Sequence, residues 1–134
     1  MRANILSIST IIILGLFLSS FGHFQPKPWA VPDKAAKTAN PVKSDASSVS
    51  AGKALWSQHC SSCHGKSGLG DGSKAAQLET TPPDMSKGTF QSQSDGALFF
   101  KTSEGRDDMP SFKKKIPDTD DIWSLINYMR TFKK

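Results

Sequence analysis

The sequence predicts an all-α domain, on three observations. The C-terminal stretch places Ile122, Leu125, Ile126, Met129 and Phe132 at i, i+3, i+4, i+7 spacing, the apolar face of an amphipathic helix. Residues 49–59 (VSAGKALWSQH) put Val49, Ala51, Leu55 and Trp56 on a second helical stripe. Nowhere between Val49 and Lys134 do apolar and polar residues alternate one by one, so no strand is expected.

Taken in order, the chain of 134 residues opens on Arg2 and then an apolar run from Ile5 to Phe21. That run has the character of the h-region of a secretory signal, or of a short membrane anchor. Its length lies at the lower edge of the about 17–25 residues that cross a bilayer. Residues 1–22 are therefore expected to be a signal peptide or an uncleaved N-terminal membrane anchor, and the protein to be exported. Ser20, Gly22 and Ala30 are the small residues at which cleavage is conceivable. Residues 23–48 carry four prolines among lysines, alanines and serines, with no apolar period to bury. They are expected to form an extended linker. The folded domain is placed at 49–134.

Within the domain, residues 49–59 form the first helix, and Gly52 in its middle suggests the close approach of another helix. Residues 65–72 (GKSGLGDG) are too rich in glycine for regular structure. Their Gly-Lys-Ser does not make a phosphate loop, because Cys60 stands where the first glycine is needed and no strand precedes it. Ser73 to Leu78 is long enough for one short helix, and Glu79 to Lys87 is a loop. Ser94 caps a helix through Lys101 or Ser103, with Asp95 favourable in its first turn. Gly105, Pro110 and Pro117 keep residues 104–117 in a loop. Pro117-Asp118-Thr119 starts the last helix, Asp120 and Asp121 complement its dipole, and Arg130, Lys133 and Lys134 stand at its end.

Chemistry concentrates at Cys60-Ser61-Ser62-Cys63-His64. This CxxCH run is the attachment signature of c-type haem. Two thiols three apart on a helical turn point the same way, and the imidazole follows one residue later. Three other readings of the pair are weaker. A redox dithiol of the thioredoxin kind needs a βαβ context, and none surrounds it. A zinc site lacks its second Cys/His pair, with two cysteines and three histidines in the whole chain. A disulfide between residues so close would constrain almost nothing. A domain of about 86 residues has a marginal core, and a buried haem would supply what is missing.

The order of CxxCH, glycine-rich loop, Met-Pro loop and C-terminal aromatic helix resembles the class I c-type cytochromes of bacterial respiratory chains. The resemblance covers about residues 49–134 and rests on CSSCHGKSGLGDG, DDMPSF and DIWSLINYMRTF. It implies a class I cytochrome c fold, three to four helices around one covalently attached haem c, with Cys60 and Cys63 as the thioether residues and His64 as the proximal iron ligand. It also implies that Gly52 and Trp56 meet Tyr128 where the first and last helices cross. A carbonyl of Pro82 or Pro83 would accept the second N–H of His64. Attachment of such a haem outside the cytoplasmic membrane agrees with the export signal.

The second iron ligand follows by elimination. His59 adjoins Cys60 and cannot reach the other haem face, and His23 lies in the linker. Met129 is on the core face of the last helix, where a methionine packs. Met85 and Met109 both lie in proline-containing loops. Met109 has the Met-Pro setting that the resemblance implies and is preferred, with Met85 the alternative. Trp56, Leu69, Leu78, Leu98, Phe99, Phe112 and Ile116 are candidate haem-wall residues, though ordinary core would be composed alike.

A haem with both axial positions filled has no open site for a substrate. The expectation is therefore an electron carrier, not an enzyme, passing single electrons between extracytoplasmic redox partners. The alternatives are a membrane-tethered cytochrome subunit of a larger oxidoreductase complex and an open-site haem sensor or peroxidase, for which Arg106 is the one nearby polar candidate. The chain carries +5, but residues 49–134 hold 12 Lys/Arg against 10 Asp/Glu, which gives nucleic-acid binding no support. Lys113, Lys114 and Lys115 follow Met109 closely and are a candidate docking patch for an acidic partner surface.

Overall fold

The computed structural model describes residues 28–134, so the Ile5–Phe21 run and the expectation placed on it lie outside the described residues. These form α1 (Asp33–Ala36), α2 (Ala46–His59), α3 (Ser61–His64), α4 (Gly88–Gln91), α5 (Asp95–Glu104) and α6 (Thr119–Arg130), with a 3₁₀ turn at Ala75–Gln77. No strand occurs among the described residues, and the expected all-α class is observed.

The core sits where α2 crosses α6. Trp56 from α2 and Ile122, Leu125 and Ile126 from α6 are buried almost completely. Gly52 lets the two backbones touch. A Cβ built there would stand 2.2 Å from the Ser124 carbonyl oxygen and 2.9 Å from Cβ of Tyr128. The Trp56 ring meets Tyr128 at 6.1 Å and Phe132 edge-on at 5.0 Å. The expected contact of Gly52 and Trp56 with Tyr128 is thus made.

Capping decides where these helices begin. Asp118 accepts from the Asp120 amide at the start of α6, and Ser94 accepts from the Ala97 amide at the start of α5, both as the sequence suggests. α2 starts three residues earlier than expected. Its cap is Asp45, whose carboxylate accepts from Ser47 and Ser48 N–H while the Ser48 hydroxyl accepts from Asp45 N–H. Serine takes the place usually held by Glu or Gln in this reciprocal cap, which hides it from the usual sequence pattern. The helix expected over 73–78 shortens to the 3₁₀ turn, and α4 occupies a stretch without an obvious apolar period.

The largest departure concerns residues 28–48, expected as an extended linker. Their backbone lies against α5 and α6. The Ser94 hydroxyl donates to the Ala36 carbonyl at 2.6 Å. The amide of Asn127, buried on α6, donates to the Val42 and Lys43 carbonyls and to the Ser48 hydroxyl, and accepts from Asn40 at 2.9 Å. Polar backbone-directed contacts hold this segment, so its lack of apolar periodicity concealed that it is packed.

Candidate haem site

α2 ends at His59, and the one-turn helix α3 carries the motif. The His64 and Cys63 amides donate to the Cys60 carbonyl at 2.9 and 3.1 Å, which puts both thiols and the imidazole on one turn. The glycine-rich loop then satisfies the carbonyls this turn leaves open. The Gly70 amide donates to the His64 carbonyl at 2.9 Å, Gly72 to Cys63 and Lys74 to Ser62. Gly70 has φ +78°, and a Cβ there would lie 2.3 Å from the Pro82 carbonyl oxygen. Only glycine permits both the left-handed turn and that approach. The buried indole N–H of Trp56 donates to the Gly65 carbonyl at 3.0 Å, pinning the chain just past His64.

Cys60, Cys63 and His64 open onto a cavity of about 410 Å³. Its wall also contains Met109 and Pro110 from one loop, Pro82, Pro83 and Met85 from another, and Phe90, Leu98 and Phe112. Neither cysteine is in a disulfide. Burial, and secondarily the Cys63 thiol, pushes the Cys60 thiol up to about 12. Burial pushes the His64 imidazole below its ordinary value, favouring the neutral form that can bind a metal. Its Nδ1 is buried and has no hydrogen-bond partner. The Pro82 or Pro83 carbonyl expected to accept from this ring does not; the Pro82 carbonyl packs on Gly70 instead.

The His64 imidazole and two unbridged thiols on the wall of one largely apolar cavity fit a haem group. No group of three or more His, Cys, Asp or Glu side chains among the described residues could hold a bare metal ion, so the zinc reading gains nothing.

The structure sorts the expected wall residues. Trp56, Leu78, Leu98 and Phe112 line the cavity. Leu69 does not: between two glycines of the surface loop, it is exposed. Phe99 stacks on Trp123 at 4.1 Å, and Ile116 is buried in the core; neither reaches the cavity. Met85 and Met109 both do. Missed from the sequence were Trp29, Phe90, Lys101 and Thr102 as cavity residues, while Arg106, the polar candidate named from the sequence, does line the cavity. The signal for two of them was present, since Leu98, Lys101 and Thr102 stand at i, i+3, i+4 on one face of α5.

A helical domain with CxxCH and two methionine loops around one cavity is a c-type cytochrome domain. Residues 47–129 match the family model described as cytochrome C oxidase, cbb3-type, subunit III, and the chain belongs to that family. The class I cytochrome resemblance is thereby upheld, and such a domain serves haem-based electron transfer. No curated protein matches the chain. Among solved structures it is similar to a chain of the Kuenenia stuttgartiensis reducing HAO-like protein complex Kustc0457/Kustc0458, with TM-score 0.65 and 25% identity. That match covers 84% of this chain and 53% of the other, so this chain spans about half the length of the solved protein.

Proposed function

We propose that the protein is a one-haem electron carrier that passes single electrons between redox proteins outside the cytoplasmic membrane. The observation that carries this reading is the joint exposure of Cys60, Cys63, His64 and Met109 to one largely apolar cavity. Cys60 and Cys63 would hold the haem through thioethers, each thiol adding across a vinyl group so that sulfur bonds carbon and the proton ends on the neighbouring carbon. When bound, the haem would supply a one-electron couple, and a largely apolar cavity with a methionine ligand would favour its ferrous form.

His64 and Met109 are the proposed axial ligands. Met109 closes a four-residue turn, in which its amide donates to the Arg106 carbonyl at 2.9 Å and its carbonyl accepts from Arg106 N–H at 2.8 Å. Asp107 inside that turn has φ +52°, a conformation Asp tolerates better than most residues. Such a turn fixes the backbone from which the thioether projects, which supports Met109 as the ligand. Met85 is instead sunk in the core, its amide donating to the Gly68 carbonyl and its carbonyl accepting from Gln91. That environment supports packing for Met85.

A second reading makes this chain the cytochrome subunit of a larger oxidoreductase complex. It is favoured by the oxidase-subunit description of the family and by the two-protein complex that contains the structural match. Export, and retention at the membrane through Ile5–Phe21, are proposed from the sequence. Trp29 is packed at the cavity and lies eight residues beyond Phe21, a span of at most about 29 Å. A retained anchor would therefore hold the domain against the membrane surface. Fractionation of cells tests this: a full-length protein in the membrane pellet supports it, and a shortened soluble one refutes it.

The visible spectrum of the exported protein tests the ligands. A ferric Met–iron charge-transfer band should be present, be lost in Met109→Ala and survive in Met85→Ala. Loss in Met85→Ala alone would transfer the role to Met85.

A further inference from the structure

We propose that Trp29, carried on the segment ahead of the family domain, belongs to the cofactor site: with Lys101 and Arg106 it closes the cavity mouth around the carboxylate edge of the haem. The proposal rests on the haem reading above. The matched family region begins at residue 47, so nothing in it supplies this tryptophan.

Three observations place it there. Trp29 lines the same cavity as Cys60, Cys63 and His64, although it precedes Cys60 by 31 positions in sequence. Both cations lie over its ring, with Arg106 Cζ 4.7 Å and Lys101 Nζ 5.7 Å from the centroid. The segment that delivers it is fixed close by, because a Cβ on Gly96 would stand 2.1 Å from the Ala35 carbonyl oxygen and 2.6 Å from that of Thr38. Backbone packed this tightly on α5 positions Trp29 rather than letting it wander.

The charges argue for an anion. Lys101 and Arg106 both approach the one indole, and the Lys101 ammonium donates to the neutral Gln93 amide. Burial, then the neighbouring Arg106 charge, lowers its pKa from the ordinary lysine range. The carboxylates of the cavity wall are engaged: Asp107 pairs with Arg106 at 3.1 Å, Asp108 accepts from the Thr80 amide, and Asp84 accepts from Ser86. Elsewhere the wall is largely apolar. Of the faces of a haem, only its edge with two propionate carboxylates suits two adjoining cations. The indole then shields that edge from water while its π face steadies the cations.

The test measures the reduction potential of the full exported protein and of Trp29→Ala, Trp29→Phe and Lys101→Gln, with thermal unfolding as a check on folding. Water at the haem edge, or loss of a positive charge there, favours the ferric state. Trp29→Ala and Lys101→Gln should therefore each raise the ferric-to-ferrous ratio several-fold at a fixed ambient potential, and Trp29→Phe should largely restore it. A Trp29→Ala protein that melts earlier but keeps the parent potential would overturn the proposal, leaving Trp29 as packing alone. Failure of the underlying reading would look different, since the unsubstituted protein would then carry no covalent haem.

Discussion

Replacing Gly52 by alanine tests the helix crossing on which the site is built. The added Cβ would fall 2.2 Å from the Ser124 carbonyl oxygen and 2.7 Å from its carbon, both backbone atoms of α6 that cannot rotate aside. Normal contact lies near 3.3 Å, so α2 and α6 must part by about 1 Å, and contacts around Trp56 weaken over the same distance. Overpacking of a close-packed site costs about 1–3 kcal/mol, and the upper half applies where backbone is the obstacle. Alanine returns up to about 1 kcal/mol through its better helix propensity. The net expectation is about 2 kcal/mol of destabilisation, a fall in Tm on the order of 10 °C for a domain this size. Urea unfolding of the haem-loaded protein should show a lower midpoint at unchanged slope. Gly88→Ala is the control, because a Cβ there meets nothing within 4 Å and its φ is not positive. A Gly52→Ala protein as stable as its parent would refute the close crossing.

Three further expectations follow from single groups. Asn127→Ala should cost about 2–3 kcal/mol in urea unfolding, because it leaves the Val42 and Lys43 carbonyls and the Asn40 amide short of a buried partner; a cost under about 0.5 kcal/mol would mean that residues 40–43 are not held there. Hydrogen bonds from the Ser86 hydroxyl and amide, with smaller help from the Lys87 and Lys134 charges, hold the Asp84 carboxyl below its ordinary value of 3.8. The carboxylate form is the one the fold favours, so its contribution is present above 3.8 and is lost as pH falls through the lower folded value; in an NMR titration Ser86→Ala should move the Asp84 midpoint upward, and an unmoved midpoint would discard the cause. Lys113, Lys114 and Lys115 are all exposed, and Lys113 is paired with Glu104, so Lys114 and Lys115 are the members to change. Changing both to glutamine should slow electron transfer to an acidic partner at low salt, leave it unchanged at high salt and leave the visible spectrum intact; equal rates at low salt would end the docking idea.

Much of this fold was legible because a few residues speak in strong local terms. Ser94 and Asp118 announce helix starts by hydrogen-bonding chemistry that needs no tertiary context, and Ile122, Leu125, Ile126 and Met129 mark a buried face by spacing alone. The motif at Cys60–His64 was legible for the same reason: one helical turn suffices to gather its groups. What stayed hidden depends on distant partners. Asn40 and Asn127 meet across 87 positions, and polar residues that bond backbone carbonyls leave no periodic trace. Trp29 is a lone aromatic among prolines in the sequence, and its neighbours Lys101 and Arg106 lie more than 70 positions away. Leu69 failed in the opposite sense, its apolar side chain suggesting a wall position that its glycine neighbours keep at the surface.

Carbon monoxide added to the reduced exported protein tests the central claim most directly, because it binds ferrous haem only where an axial position is open. With His64 and Met109 both in place, the sharp reduced bands should be unchanged at neutral pH, and binding should emerge in Met109→Ala. Ready binding to the unsubstituted protein would contradict a closed electron carrier and point instead to ligand sensing or peroxide chemistry.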